Sequence, residues 1–462
     1  MRGRRQWVLG LLVLVGCARK PLVSPPPPPG PPSRIEGELP DWCQVYFSRL
    51  HGGNVAQARA DAESLDRHLV RFLNQAQHSI EAALHELDND RITAALLDAH
   101  RRGVRVRVLT ETDYRDEASI EDLEKAGIPV RDDQGRPGLM HHKFLVVDGR
   151  AVWTGSFNTT DNGAFKNDNN AIVISSPRVA SLFTAEFNKL FERREFGRKA
   201  GWQRPAPAVR MPDGTEVRVL FSPENDVVGA IIQEIQRAQQ AIRFLAFSFT
   251  HDGIAQAMLG KMRQGVSVQG VLETRGSDTP TSELGRFQKA RLEVWQDTNP
   301  YLMHHKVILI DRDTVMTGSF NFSRNAADSN QENLVILRGN RAIAEAYRQE
   351  FERIYQSAAG AARGVRIAAP TGPARPPSAR RRTKLEPPPS PLPPERKGFP
   401  SPDRVNVNTA SLEELTTLPG IGPELARQIR RKRPYRKVED LLRINGIGPG
   451  KLKQLHPHVT VH

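Results

Sequence analysis

Met140-His141-His142-Lys143-Phe144-Leu145-Val146-Val147-Asp148 is followed, six residues on, by Gly155-Ser156-Phe157-Asn158. The pattern returns as Met303-His304-His305-Lys306-Val307-Ile308-Leu309-Ile310-Asp311, with Gly318-Ser319-Phe320-Asn321 at the same interval. Every position is offset by 163 residues. A lone His-x-Lys carries little information, but the same set twice in one register is a strong signal. Alternation along a strand puts His141 and Lys143 on one face and turns His142 to the other, and likewise His304 and Lys306 against His305. His142 and His305 are therefore expected in the core or behind the site. The apolar runs 144–147 and 307–310 read as strands buried on both faces.

The duplication extends on both sides of the paired motif. Ser79-Ile-Glu-Ala-Ala-Leu matches Ala241-Ile-Arg-Phe-Leu-Ala at an offset of 162. Each half opens with an amphipathic helical pattern (Leu65, Leu69, Phe72, Ala76, then Val228, Ile231, Ile235, Ala238). Strand, helix and a β-rich run (Val104–Leu109 or Val266–Leu272) follow, and late helices carry Glu186-Phe187 and Glu350-Phe351. Alternating strands and helices predict an α/β layered sheet in each half, packed about a pseudo-twofold axis that brings equivalent residues together.

Such residues suit phosphodiester cleavage, which needs a nucleophile, an acid for the leaving alkoxide and cations for the non-bridging oxygens. Two histidines in opposite protonation states supply the first two roles. Lys143 and Lys306 bring positive charge, while Ser156, Asn158, Ser319 and Asn321 are expected as phosphate donors. The chemistry requires no metal or other cofactor, and no cluster with metal-ligand spacing is evident.

On these motifs residues 60–360 resemble the HKD phospholipase D superfamily. The resemblance implies two α/β/α sandwich halves, a shared site at their interface and double displacement through a phosphohistidine. It casts His141 as attacker and His304 as acid, although the sequence itself does not rank them, and makes Asp148 and Asp311 supporting members of the catalytic set. It also implies a Glu eleven residues after the motif's Asn that orients a histidine. Glu332 fits in the second half; the first has Asn169, with Asp168 beside it. Either Asp168 substitutes or one histidine lacks a carboxylate partner.

Residues 403–462 hold Leu418-Pro419-Gly420-Ile421-Gly422 and Ile444-Asn445-Gly446-Ile447-Gly448, each between short helical stretches. Ser411-Leu-Glu-Glu414 fits a capping box, and Pro423 and Pro449 suit first helical turns. The pair resembles tandem helix-hairpin-helix motifs, and the whole module resembles the DNA-binding domain of bacterial competence receptors. That implies backbone contacts to phosphate at Gly420, Gly422, Gly446 and Gly448. Arg427, Arg430, Arg431, Lys432, Arg433, Lys451 and Lys453 would add attraction without base specificity.

The net charge of +14 is concentrated at the C-terminal end. Residues 361–400 carry nine Arg/Lys against two Glu, and residues 401–462 eleven against six acids, whereas 41–360 come out near −2. A polyanion partner, duplex DNA, is expected there. At the other end, Arg2, Arg4 and Arg5 precede an apolar stretch from Trp7 to Gly16, too short to span a bilayer but suited to an export signal. Leu14-Val15-Gly16-Cys17 resembles a lipobox, which implies lipidation at Cys17, a membrane anchor and a cell-envelope location. Cys43 reads as structural.

At 462 residues the chain has room for two or three domains. The expected organisation is a signal segment (1–16), a proline-rich tether (17–43), two halves (44–200 and 201–360), a Pro/Arg-rich linker (361–402) and the hairpin module (403–462). The function expected is an envelope-anchored, sequence-nonspecific DNA endonuclease that needs no dimer, because one chain carries both histidines. The alternatives are lipid chemistry, as a phospholipase D or a cardiolipin-synthase-like phosphatidyl transferase, and a non-catalytic DNA receptor.

Overall fold

The computed structural model describes residues 38–197, 206–363, 404–444 and 446–461. The expected signal segment, Cys17 and both proline-rich tracts lie outside them, as do the side chains of Arg427 and Arg431. The first half forms β1 (Cys43–Phe47), β2 (Ser79–Leu84), β3 (Arg105–Thr110), β4 (Val130–Asp132), β5 (Lys143–Val147), β6 (Ala151–Gly155) and β7 (Asn170–Ser175). These make one mixed sheet in the order β1-β7-β6-β5-β2-β3-β4. The second half forms β8 (Ala208–Arg210), β9 (Glu216–Ser222), β10 (Ala241–Ala246), β11 (Ser267–Leu272), β12 (Glu293–Gln296), β13 (Lys306–Ile310), β14 (Thr314–Gly318) and β15 (Glu332–Arg338). Their order is β12-β11-β10-β13-β14-β15-β9-β8. In each sheet the motif strand (β5 or β13) runs antiparallel to β2 or β10, pairing Lys143 with Leu84 and Lys306 with Ala246.

The two-sandwich α/β expectation holds, with the helices distributed in three layers. Leu65–Leu73, Asp90–Arg101 and Ala118–Lys125 cover the outer face of the first sheet, and Val227–Arg237, Asp252–Arg263 and Leu284–Lys289 that of the second. The late helices Pro177–Phe191 and Arg341–Ala362 supply a central core that joins both sheets through Phe183, Phe187, Tyr347 and Phe351. Both faces of β5 and β13 are thus covered, which explains their unbroken apolar runs. β1 begins at the last residue of the stretch read as tether; this residue, Cys43, is 2% exposed and packs in the central core with Trp42. Cys43 is structural, as expected. Among the described residues no helix is long and apolar enough to cross a membrane.

The C-terminal module is closed by a short parallel pair, Val405–Asn406 with Val459–Thr460. The Ser411 capping box forms, and Pro423 and Pro449 open their helices with Gly422 and Gly448 as N-caps.

Candidate functional site

Backbone bonds between the halves position the two motifs. The His141 N–H donates to the Gln331 carbonyl at 3.0 Å, and the His304 N–H to that of Asp168 at 2.8 Å. These are equivalent bonds under the 163-residue repeat, and they place each histidine beside the strand start of the opposite half. His141 Nδ1 meets Glu332 Oε2 at 2.6 Å, and His304 Nδ1 meets Asn169 Oδ1 at 2.9 Å. Each ring's Nδ1–H therefore goes to a partner from the other half. The Asn169 amide is fixed in this sense because its Nδ2 donates to the Gly163 carbonyl at 3.0 Å.

The choice left open by Asn169 is decided in its own favour. Asp168 does not substitute, because its carboxylate is held by Arg353 at 2.5 Å and Asn299 at 2.7 Å. His141 thus has a carboxylate and His304 an amide. Both rings are 1% exposed, with Lys143 at 2% and Lys306 at 1%. Each lysine ammonium donates to the carbonyl of its own motif histidine at 2.9 Å, which brings the charge alongside the ring.

Two expectations are corrected. Asp148 and Asp311 end their motif strands five residues beyond the lysines, roughly 16 Å away at ~3.3 Å per residue. Asp148 accepts the backbone N–H groups of Gln77, His78 and Ser79, and Asp311 those of Gln239, Gln240 and Ala241. Both sit at φ near +50°, where a short polar side chain that caps local N–H groups is favoured. They anchor the entry to β2 and β10 and do not belong to the catalytic set. Ser156 is likewise no phosphate donor: it gives its proton to Asn169 Oδ1 at 2.9 Å and accepts the Asn170 N–H at 3.0 Å. Ser319 accepts the equivalent Asn333 N–H at 3.0 Å. The preceding glycines are required, since a Cβ on Gly155 or Gly318 would lie 2.3 Å from the carbonyl of Asn170 or Asn333. Asn158 is buried beside this turn and Asn321 half-buried.

His142 and His305 occupy a layer behind the site, as the alternation predicts. His305 Nδ1 accepts from Asn170 at 2.9 Å and its Nε2 meets Glu350 at 3.1 Å. His142 Nδ1 accepts from Asn333 at 3.3 Å, with Glu186 3.5 Å from Nε2. Burial pushes His142 below the usual histidine range. Burial also pushes Glu186 and Glu350 up, but Lys189 with His142, and Arg353 with His305, together outweigh it and hold each carboxyl at about 2.

The sequence missed His85 and Tyr114. His85 directly follows β2, and its ring packs edge-on against His141 at 4.7 Å, with Nδ1 on the Met140 carbonyl at 3.1 Å. Tyr114 packs edge-on against His85 at 5.0 Å. The 162-residue repeat was the available signal: it equates His85 with Phe247, whose ring lies 4.8 Å from His304.

In the module, Gly420 and Gly446 take φ of 70° and 97°, and a Cβ at Gly422 or Gly448 would meet nothing within 4 Å. The Lys451 stem packs over Gly420. Arg430 departs from expectation: it donates to Glu117 Oε1 of the body at 3.0 Å, with its guanidinium 3.8 Å above the Tyr114 ring.

A family model described as "Cardiolipin synthase, PLD-like domain" matches residues 69–191 and 231–355, and one described as "Helix-hairpin-helix motif" matches 401–460. Human mitochondrial cardiolipin hydrolase is 39% identical over 158 residues, 34% of this chain and 58% of that protein. Rickettsia prowazekii phospholipase D is 33% identical over 137 residues, 30% of this chain and 66% of that protein. The chain therefore spans under two thirds of these relatives' length. The crystal structure of a phospholipase D family member, Nuc, from Salmonella typhimurium is 30% identical with a TM-score of 0.30, covering 31% of this chain and 95% of that one. With duplicated motifs converging between two like halves, and a family match over more than half its length, the chain belongs to the PLD-like domain family and carries a C-terminal helix-hairpin-helix motif.

Proposed function

We propose that the chain is a phosphodiesterase that cleaves nucleic acid through a phosphohistidine on His141. The observation that carries this reading is the pair of cross-half bonds, His141 to Glu332 and His304 to Asn169, which hold both motif histidines at the interface of the halves by their Nδ1 atoms. Nε2 of His141 attacks phosphorus as the bond to the leaving alkoxide breaks, and His304, as imidazolium, gives that oxygen its proton. Water then attacks phosphorus, His304 takes its proton, and the P–N bond breaks. The attacking ring gains positive charge as the P–N bond forms, and Glu332 compensates it. An amide accepts from His304 without compensating charge, which suits the ring that hands its proton on. Lys143 and Lys306 offset charge on the non-bridging oxygens. These groups cover each role the reaction needs, so activity in EDTA is expected.

The substrate follows from the module: a basic helix-hairpin-helix motif suits a nucleic-acid backbone, and the reading takes duplex DNA bound without base specificity. Lipid is the second reading, favoured by the likeness to the cardiolipin synthase PLD-like domain model and to human mitochondrial cardiolipin hydrolase. An anchor at Cys17 would hold either activity at the cell envelope; that part rests on the sequence alone.

The test is to incubate the chain in EDTA with plasmid, single-stranded DNA, RNA and phospholipid vesicles, beside His141→Ala. DNA cutting that the variant loses supports the proposal. Release of a lipid head group with intact DNA overturns it in favour of lipid chemistry, and inertness toward all four leaves a DNA receptor.

A further inference from the structure

The hairpin module meets the body beside the candidate site. Tyr114, in the loop after β3, is 1% exposed and belongs to the module's own apolar core with Val407, Leu418, Ile429 and Tyr435. Arg430 sits over its ring, 3.8 Å from the centroid, and pairs with Glu117 at 3.0 Å, so one guanidinium makes a cation–π contact and an ion pair with two body residues. From Tyr114 the contact continues inward, ring on ring, to His85 and from His85 to His141. Further charges of both signs meet across this contact, Glu86 lying near Arg430 and also near Glu414 of the module. Arg433 acts on Glu86, the residue after His85, and Glu414 feels Lys166 of the first half and Arg275 of the second. The module thus stands over the rim to which both halves contribute, and beneath it His141 and His304 are 1% exposed.

We propose that this seat is a releasable closure: Arg430 holds the module over the path to His141, and a nucleic-acid backbone opens it by taking Arg430 from Glu117. The proposal rests on the reading of the module as a polyanion binder. One guanidinium serves a carboxylate or a phosphate fork, not both. A polymer with one charge per ~1.7 Å of duplex outcompetes a single glutamate for a module of net charge +5. The hairpin at Gly422 stays open while the module is seated, so DNA engages it first and draws Arg430 away afterwards. The site would then be exposed only when its polymer is already held.

The test uses the full chain and does not depend on hydrolysis. Diethyl pyrocarbonate acylates accessible imidazoles, and peptide mass spectrometry reads His85, His141 and His304 separately. Arg430→Glu and Glu117→Arg should each raise the labelling rate of His141 at least about tenfold, and the double variant should restore slow labelling. The restored pair separates loss of the seat from loss of folding. In parallel, a 20-base-pair duplex should speed amide exchange over residues 112–120 of the wild-type chain. Slow labelling in both single variants, or fast labelling in the double variant as well, overturns the closure. Unchanged or slowed exchange on duplex that is demonstrably bound overturns its release by DNA. Duplex binding is measured separately by anisotropy; its absence counts against the DNA reading, while the charge-swap series still judges the seat.

Discussion

Glu332→Gln removes the charge from the His141 bond and keeps the size of the side chain. Both carboxylate oxygens accept: Oε2 from His141 at 2.6 Å and Oε1 from Asn330 Nδ2 at 3.2 Å. A carboxamide offers one oxygen. If that oxygen serves His141, its NH2 opposes the Asn330 NH2, which is held because Asn330 Oδ1 accepts the Leu139 N–H at 3.1 Å. A hydrogen bond to a charged group contributes roughly 1.5–3 kcal/mol. If that contribution is realised as charge develops on the attacking ring, turnover slows about 10- to 150-fold at ~1.4 kcal/mol per decade. The assay is release of p-nitrophenolate from bis(p-nitrophenyl) phosphate, with kcat and KM separated and the thermal midpoint recorded. The expected outcome is a fall in kcat with KM little changed. A variant within threefold of wild type at an unchanged midpoint would refute the idea that Glu332 stabilises charge on His141.

Other outcomes follow from the same contacts. Glu186 and Glu350 are held at about 2 against ordinary values near 4.5, so the unfolded chain binds more protons between those limits. Their stabilisation is complete above pH ~4.5 and lost as pH falls toward 2, and calorimetry between pH 6 and 3 should show the midpoint falling, less steeply in Glu350→Gln. Burial pushes the Cys43 thiol up to about 12, so in a Cys17→Ser chain a disulfide reagent at pH 8 should react only after denaturant is added. Gly155→Ala drives a Cβ into the Asn170 carbonyl and should cost about 2–4 kcal/mol in urea unfolding, with Gly103→Ala, open at its Cβ, costing less.

Strand alternation was enough to place His141 and Lys143 together and His142 behind them, because period two is a local property. Proximity in sequence misled for Asp148, since the same strand geometry that groups alternate residues carries the fifth one to the far end. The partners of the histidines were legible as a set but not as pairs. Which half supplies Glu332 to which ring depends on the bonds of His141 to Gln331 and His304 to Asp168, a register between segments 190 and 136 residues apart that no periodicity encodes. Ser156 looked like a donor until Asn169 was seen to use its proton. Arg430 was read as a DNA contact by composition, and its seat on Tyr114 depends on how two separate modules pack.

The exchange of partners between the halves also bears on how such a site can change over time. If two identical half-chains associated about a true twofold axis, any substitution beside one histidine would be copied beside the other, and the two rings would stay equivalent. Joined in a single polypeptide, positions 169 and 332 are free to drift apart, and they now hold an amide and a carboxylate. Fusion of the repeats thus permits a division of labour that symmetry forbids. Each half also depends on the other for its histidine's partner, so neither retains a complete site if separated.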